Sequence, residues 1–157
     1  MQKLVIILFM TIMASPIFAQ DAIKKQWNIP RSGLAIEGYD PVAYFTAGKA
    51  IEGKKEFAAS DGSATYYFSS AQNRDKFKAD PAKYQPQYGG WCAYAMGASG
   101  EKVEVDPETF KVIGGKLYLF YNKYFNNTLK TWNKDEPGLK KKADANWIRL
   151  STAANQH

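Results

Sequence analysis

The only cysteine of the chain, Cys92, lies in the stretch YGGWCAYAMG, residues 88–97, and Met96 follows it four residues later. If this stretch is helical, Cys92 and Met96 are one turn apart on the same face. A thiolate and a thioether are soft ligands that suit Cu(I). The spacing therefore predicts a soft-metal site built on these two sulfur atoms.

The same thiol is open to a second kind of chemistry. A cysteine in the first turn of a helix lies at the positive end of the peptide dipoles, which favours the nucleophilic thiolate. Gly89 and Gly90 allow backbone conformations that other residues rarely adopt. They are expected to support the site together with Trp91 and Tyr94. Four alternatives stay open for Cys92: a redox-active nucleophile, a metal ligand, a buried core residue, or half of an interchain disulfide.

The rest of the chain disfavours the common catalytic classes. The only histidine, His157, is the last residue, so neither a Ser/His/Asp triad nor a histidine-rich zinc site is expected. The pair Gly114-Gly115 belongs to a predicted turn and not to a phosphate-binding loop. No two carboxylates stand out as a general acid and base. These features favour binding over turnover.

The N-terminal residues, MQKLVIILFMTIMASPIFAQDA, have the charged start, apolar run and small residue typical of a secretory signal peptide, with cleavage expected after Ala19. The apolar run, residues 4–13, is shorter than the roughly 20 residues that span a bilayer. The residue directly after the expected cut is Gln20 and not a cysteine, so a lipid anchor is not predicted. We therefore expect an exported protein, periplasmic or secreted, without a transmembrane anchor after cleavage.

The charge pattern adds little about partners. The formal net charge is +6, of which Lys3 in the leader contributes one, and the excess is scattered along the chain. The densest cluster, residues 140–142, is interpreted as the solvated face of a helix. A nucleic-acid partner is not expected, because export removes the usual target.

Turn signals predict an α+β fold with two β-hairpins, at about residues 55–68 and 109–121. Asp61-Gly62 and Gly114-Gly115 are two-residue turns of the hairpin type, and each lies between segments able to form strands. The two hairpins are the only internal repetition that the sequence suggests.

Short helices are expected around the hairpins, and two longer ones at the C-terminal end. Tyr121, Phe125, Thr128 and Trp132 recur at helical spacing and predict a helix over residues 123–133, ended by Pro137-Gly138. The remaining predicted helices cover residues 41–46, 71–80, 81–84, 91–96 and a last segment in which Leu139, Ala143, Trp147 and Leu150 share one face.

The run YYFSSAQNRDKFKADPAKYQPQYGGWCAYAMG, residues 66–97, is similar to the YHS domain family. The shared pattern is an aromatic strand, a serine-rich turn, a helix carrying Asp-Lys-Phe, and then Asp-Pro and a tyrosine. The opening GYDPVAYF and the later DPETFKVIGGKLYLFYN and ADANW segments resemble the exported, single-domain branch of that family. The resemblance covers residues 36–150.

The resemblance has two implications for chemistry. Some YHS domains accompany metal-handling modules and carry cysteines around the strand-to-helix turn. Ser69, Gln72 and Asn73 occupy those places here, so that metal site is not implied for this chain. Some members of the exported branch resemble selenoproteins with selenocysteine at the position of Cys92, which implies redox or nucleophilic reactivity there.

Together these features predict an exported YHS-domain protein that acts as a non-catalytic binding module in soft-metal (copper) or redox homeostasis. Its partner would be a metal ion or an unidentified protein. Two alternatives are a thiol-based oxidoreductase that uses Cys92, and a structural or protein-interaction module with Cys92 in its core. The expected organisation is a signal peptide (1–19), a lead-in (20–36), a YHS-like domain (37–150) and a frayed tail (151–157).

Overall fold

The computed structural model describes residues 26–153, and over this range the chain folds as an α+β domain. The predicted leader and His157 lie outside the described residues. The described part of the chain contains three antiparallel hairpins, each of two strands, and six α-helices. Within residues 26–153, no helix has the length and apolar character that crossing a bilayer requires.

The first half of the domain is a short helix, a hairpin and two further helices. Its second strand alternates buried and half-buried side chains, so Ala64, Tyr66 and Phe68 face the core. Ser70 caps the helix that follows, because its side chain accepts a hydrogen bond from the amide of Asn73. The elements are α1 (Ala43–Thr46), β1 (Lys54–Asp61), β2 (Ala64–Phe68), α2 (Ala71–Ala79) and α3 (Pro81–Tyr84).

The second half has the same succession with one addition. A third hairpin follows the second one directly, and two helices end the domain. The elements are α4 (Ala93–Ala98), β3 (Asp106–Ile113), β4 (Lys116–Phe120), β5 (Asn122–Lys123), β6 (Asn126–Asn127), α5 (Thr128–Trp132) and α6 (Glu136–Ala153). The two hairpins predicted from turn residues are confirmed at residues 54–68 and 106–120.

The first and second halves of the domain have the same pattern of strand pairing. Lys54 pairs with Phe68 in the first hairpin, and Asp106 pairs with Phe120 at the same spacing in the second. An irregularity interrupts both hairpins at the corresponding place, and the isolated bridge between residues 34 and 65 returns between residues 86 and 117. The repetition therefore extends well beyond the hairpin motif that the sequence suggested.

The two halves differ in length after the second strand of each hairpin. Phe77 packs on Phe68, the last strand residue of its half, with ring centroids 5.1 Å apart. Trp132 packs in the same way on Phe120, with ring centroids 5.4 Å apart. More residues separate Trp132 from Phe120 than separate Phe77 from Phe68. A turn follows each of these aromatic residues. The amide of Asp80 donates to the carbonyl of Phe77, and the amide of Asp135 donates to the carbonyl of Trp132, each at 3.1 Å. The additional length of the second half falls in the hairpin β5–β6.

The buried residues form two core clusters, the first of which also includes residues of the second half. The first core contains Tyr44, Tyr66, Phe68, Phe77 and also Cys92. The second core is formed by Tyr88, Ala93, Met96, Tyr118, Phe120, Trp132 and Ala143. Leu139, Trp147 and Leu150 of helix α6 pack against the second core, as their spacing predicted.

The helix predicted over residues 123–133 is wrong in its first part. Residues 122–127 form the hairpin β5–β6, with Tyr124 and Phe125 at positive φ in its turn, and helix α5 begins only at Thr128. Phe125, assigned to the buried face by its spacing, is fully exposed. The spacing of apolar residues was coincidental here, because the hairpin turn interrupts it.

Two further boundaries differ from the prediction. Helix α6 begins at Glu136, so Pro137-Gly138 lies in its first turn and does not precede it. Proline is tolerated there because the first amides of a helix have no partner within the helix. The helix runs to Ala153, through the first part of the tail predicted to be frayed. The lead-in expected to end at residue 36 is packed as well, since Ile36 is buried in the first core.

Candidate functional site

Cys92 lies at the start of helix α4 and is fully buried. It is the N-cap residue of that helix, with φ −56° and ψ 117°, and not a residue of its first turn as predicted. Its amide donates to the carbonyl of Val103 at 2.9 Å, and its carbonyl accepts from the amide of Met96 at 3.0 Å. These main-chain bonds fix the position of the thiol.

Two polar groups contact the sulfur. The amide of Tyr121 donates to Cys92 Sγ at 3.3 Å, and Thr128 Oγ1 lies 3.4 Å from it. The hydroxyl of Thr128 itself donates to the carbonyl of Tyr121 at 2.9 Å. Because the hydroxyl hydrogen is used there, the thiol donates to Thr128 Oγ1 and accepts from Tyr121. The thiol is therefore hydrogen-bonded both as donor and as acceptor.

An open pocket of about 430 Å³ adjoins the thiol. Helix α4 forms one wall, and the chain from β4 to α5, including the hairpin β5–β6, contributes to the other. The lining is largely apolar, with Glu101 as its single charged side chain. The lining residues are Cys92, Tyr94, Ala95, Ala98, Ser99, Glu101, Val103, Tyr121, Asn126 and Thr128.

The sulfur lies at the floor of this pocket. Cys92 has no exposed surface although it belongs to the pocket lining. A ligand would therefore reach Sγ only after the neighbouring side chains move slightly apart. The pocket can accept a small ligand above the thiol, and the thiol is its only sulfur.

Asp40 occupies the main-chain position in the first half that Cys92 occupies in the second. The amide of Asp40 donates to the carbonyl of Ile51 at 2.8 Å. The amide of Cys92 donates to the carbonyl of Val103 at 2.9 Å, with the same separation along the chain. Cys92 directly precedes helix α4 and Asp40 lies three residues before helix α1, so both stand at the start of a helical segment and the repeat assigns them to one site of the fold.

The side chains of the two residues make equivalent contacts as well. Asp40 Oδ2 accepts a hydrogen bond at 2.8 Å from the amide of Ser69, which directly follows strand β2. Cys92 Sγ accepts from the amide of Tyr121, which directly follows strand β4. The repeat thus places a carboxylate and a thiol at the same point, each bonded to the end of a strand.

The two side chains differ in how many bonds they make. Asp40 is fully buried and accepts five hydrogen bonds, among them one from Asn73 Nδ2 at 2.7 Å. Thr128 is the counterpart of Asn73, because each lies one turn before the packed aromatic residue of its helix, and it contacts Cys92. A thiol offers weaker and fewer hydrogen bonds than a carboxylate. The second half therefore obtains less stabilisation from this position than the first.

Met96 does not share the pocket with Cys92. It is fully buried in the second core, whereas Cys92 belongs to the first. The described residues hold no group of three or more His, Cys, Asp or Glu side chains that could bind a metal. The pocket offers a single soft donor, so its residues do not fit a resident copper ion held by the two sulfur atoms.

The other residues predicted around Cys92 divide between two places. Tyr94 lines the pocket. Gly89 lies in a turn at φ +60°, and a Cβ there would come within 2.8 Å of Trp147 Cη2. Gly90 and Gly89 line a different cavity of about 130 Å³. Trp91 donates its indole N–H to the carbonyl of Gln26 at 2.7 Å. Gly89 and Trp91 therefore serve the packing of other segments and not the thiol pocket.

The sequence interpretation found only Cys92 and Tyr94 of the ten lining residues and missed, among others, three from the segment after β4: Tyr121, Asn126 and Thr128. A signal for their position was present in the repeat. GYDPVAY, residues 38–44, and GWCAYAM, residues 90–96, share a glycine, an aromatic residue and an alanine at the same spacing. Aligning them places the segment after β4 beside Cys92, as the segment after β2 lies beside Asp40.

No family model, curated protein or solved structure matches this chain. The resemblance to the YHS domain family therefore stays a prediction.

Proposed function

We propose that this protein is a non-catalytic binding module whose ligand occupies the pocket above Cys92. The observation that carries the proposal is the position of the single thiol at the floor of an open, mostly apolar pocket of about 430 Å³. A pocket with apolar walls and a few polar groups is the usual form of a small-ligand site. Glu101 and the hydroxyl of Ser99 would orient the polar end of such a ligand.

The ligand proposed for this pocket is small and thiophilic. A thiol is a soft donor, and it favours soft metals and electrophilic sulfur or carbon centres over hard cations. Because Cys92 is the only soft donor in the pocket, a soft metal such as Cu(I) would have to bring its other ligands with it, as a complex with a small thiol does. This is consistent with a role in copper or redox homeostasis and with the exported location that the leader predicts.

A second candidate is thiol-based redox chemistry at Cys92. The specific observation in its favour is the hydrogen bond from the amide of Tyr121 to Sγ, which would also stabilise a thiolate. The complete burial of the side chain weighs against it, because an oxidant must reach the sulfur. Binding is therefore the primary proposal.

A third candidate is a purely structural thiol. Asp40, at the same position of the first half, ties a helix start to a strand end and has no other evident role. Cys92 forms a weaker version of the same connection. The structural role would account for the hydrogen bonds of the thiol, but it gives no reason for the pocket.

The test is a titration of the mature protein with the Cu(I)–glutathione complex under anaerobic conditions. We expect saturable binding to the wild type, a loss of at least about tenfold in Cys92→Ser, worth about 1.4 kcal/mol, and no change in Met96→Leu. Met96→Leu is the matched control because it alters a neighbouring buried sulfur outside the pocket.

Alkylation of native protein by N-ethylmaleimide, followed by intact mass, shows whether the pocket is reachable at all. Modification of Cys92 that is slowed by the copper complex supports the proposal. Equal binding of the copper complex by wild type and Cys92→Ser would contradict the proposal. A protein that binds no copper complex, and whose thiol stays unmodified, would favour the structural candidate. Reversible oxidation of Cys92 without copper binding would favour the redox candidate.

A further inference from the structure

The hairpin β5–β6 is the part of the second half that has no counterpart in the first. Tyr124 and Phe125 form its tip and are 88% and 111% exposed. Of the large hydrophobic residues described in this chain, they are the two most exposed, and they are adjacent. A pair of aromatic residues fully in water is unfavourable unless another surface covers them.

The backbone of the tip is strained, and no burial of its side chains compensates for the strain. Tyr124 and Phe125 have φ angles of 53° and 63°, in the left-handed region that bulky residues avoid. Ile36 and Tyr88 adopt the same conformation in the two equivalent turns of the repeat, but their side chains are buried in the cores. At the tip no such burial compensates the strain. Asn-Gly would suit this turn better.

The chain around the tip is basic. Between residues 109 and 134 there are five lysines and no acidic residue. Lys123 directly precedes the tip, whereas Lys111 is paired with Glu136. Two carboxylates lie close to the hairpin. Asp106 accepts a hydrogen bond from Asn122 at the base of the hairpin, and Glu101 lies in the wall of the pocket that Asn126 also lines. The tip itself therefore combines two aromatic rings with a neighbouring positive charge.

We propose that the Tyr124–Phe125 tip docks the protein on an anionic lipid surface. Aromatic side chains favour the interface between headgroups and acyl chains, and lysines are attracted to anionic headgroups. The size of the feature favours lipid over a protein partner. Two aromatic side chains present about 150–250 Å² each, well below the roughly 800 Å² per partner of a stable protein interface.

This proposal does not depend on the pocket function. The pocket lies beside the hairpin and shares Asn126 with it, so docking would hold the pocket mouth close to the membrane surface. A variant without the thiol, Cys92→Ser, should dock as the wild type does. The two proposals therefore fail separately.

The test is co-sedimentation of the mature protein with vesicles of equimolar phosphatidylglycerol and phosphatidylcholine, and with vesicles of phosphatidylcholine alone. The main variant is Tyr124→Asn/Phe125→Gly, which gives the turn its preferred residues and should fold at least as well. The matched control is Ile148→Asn, which removes a 61% exposed hydrophobic residue from helix α6.

We expect the wild type to bind the anionic vesicles, with affinity that falls as salt is added. The turn variant should lose at least about tenfold in affinity, Lys123→Glu should also weaken binding, and Ile148→Asn and Cys92→Ser should bind like the wild type. The proposal is overturned if the wild type binds neither vesicle, or if the turn variant binds as well as the wild type. A tip-dependent dimer seen by size-exclusion chromatography without vesicle binding would also overturn it.

Discussion

Removal of the buried carboxylate of Asp40 should destabilise the protein far more than removal of the thiol of Cys92, although the two residues occupy equivalent positions. Asp40 accepts hydrogen bonds from the amides of Val42, Ala43 and Ser69, from the hydroxyl of Ser69 and from the side chain of Asn73. Asp40→Ala removes the acceptor of all five bonds; the amide of Ala43 keeps the main-chain carbonyl of residue 40, and Asn73 Nδ2 keeps Ser69 Oγ.

The size of the effect follows from the donors. Each buried donor left unsatisfied costs about 1–3 kcal/mol, and the backbone amides of Val42 and Ser69 are fixed in place by the fold. Since neighbouring losses are not additive, we expect Asp40→Ala to lower the free energy of unfolding by about 4 kcal/mol. Cys92→Ala removes one small side chain and two weak contacts, which corresponds to about 1–2 kcal/mol.

Urea unfolding followed by tryptophan fluorescence measures both effects, because Trp132 is fully buried. Asp40→Asn retains one acceptor oxygen and should fall between the wild type and Asp40→Ala; it also serves if Asp40→Ala does not fold. A difference below about 1 kcal/mol between Asp40→Ala and Cys92→Ala would refute the reasoning, since unsatisfied buried donors should dominate. A large loss in Cys92→Ala would make the thiol structural and remove the main reason to assign it a ligand.

Three further outcomes follow from the same structure. Tyr124→Asn/Phe125→Gly should raise the free energy of unfolding by about 1–2 kcal/mol, measured in urea, because it relieves left-handed strain at exposed positions. Gly97→Ala should lower it by about 2–3 kcal/mol in the same assay, because a Cβ there would lie 2.5 Å from a carbonyl oxygen of helix α6. Burial raises the pKa of Tyr44 and of Tyr88 above the ordinary value of 10.0, and Tyr88 also donates to a carboxylate. Both tyrosines ionise more readily when unfolded, so their contribution to stability should be fully present below about pH 10 and be lost above it, as urea midpoints across alkaline pH would show.

The parts of the fold that the sequence predicted are those set by local chemistry. Asp61-Gly62 and Gly114-Gly115 indicated both hairpins, because two-residue turns with positive φ angles select such residues. The helical face of Leu139, Ala143 and Trp147 was equally local, since spacing alone reports which side of a helix packs.

The hairpin β5–β6 could not be predicted in this way. Tyr-Phe is an unfavourable pair for its turn, and Phe125 happened to fit the spacing of a helix. A segment whose local preferences disagree with its structure gives a misleading pattern. Such disagreement is more common where a segment serves function than where it serves folding.

The candidate site was predicted only in its centre. Cys92 and Tyr94 line the pocket, but the prediction that Met96 would share a site with the thiol assumed a helix that began before Cys92. The contact with Thr128 joins residues that are far apart in the sequence, and no spacing rule reports it. Only the register of the two halves reveals why that segment lies there.

The repeat also gives a way to separate function from folding within one chain. The first half forms its hairpin and helices with a carboxylate, Asp40, at the position of the thiol and without a hairpin after β2. Neither feature is therefore required by the architecture, and we expect the thiol to stabilise the fold less than Asp40 does and the strained tip to destabilise it. The two departures, Cys92 and the hairpin β5–β6, meet at a single pocket. Both departures are therefore better explained by a ligand in the pocket and a surface at its rim than by the packing of the fold.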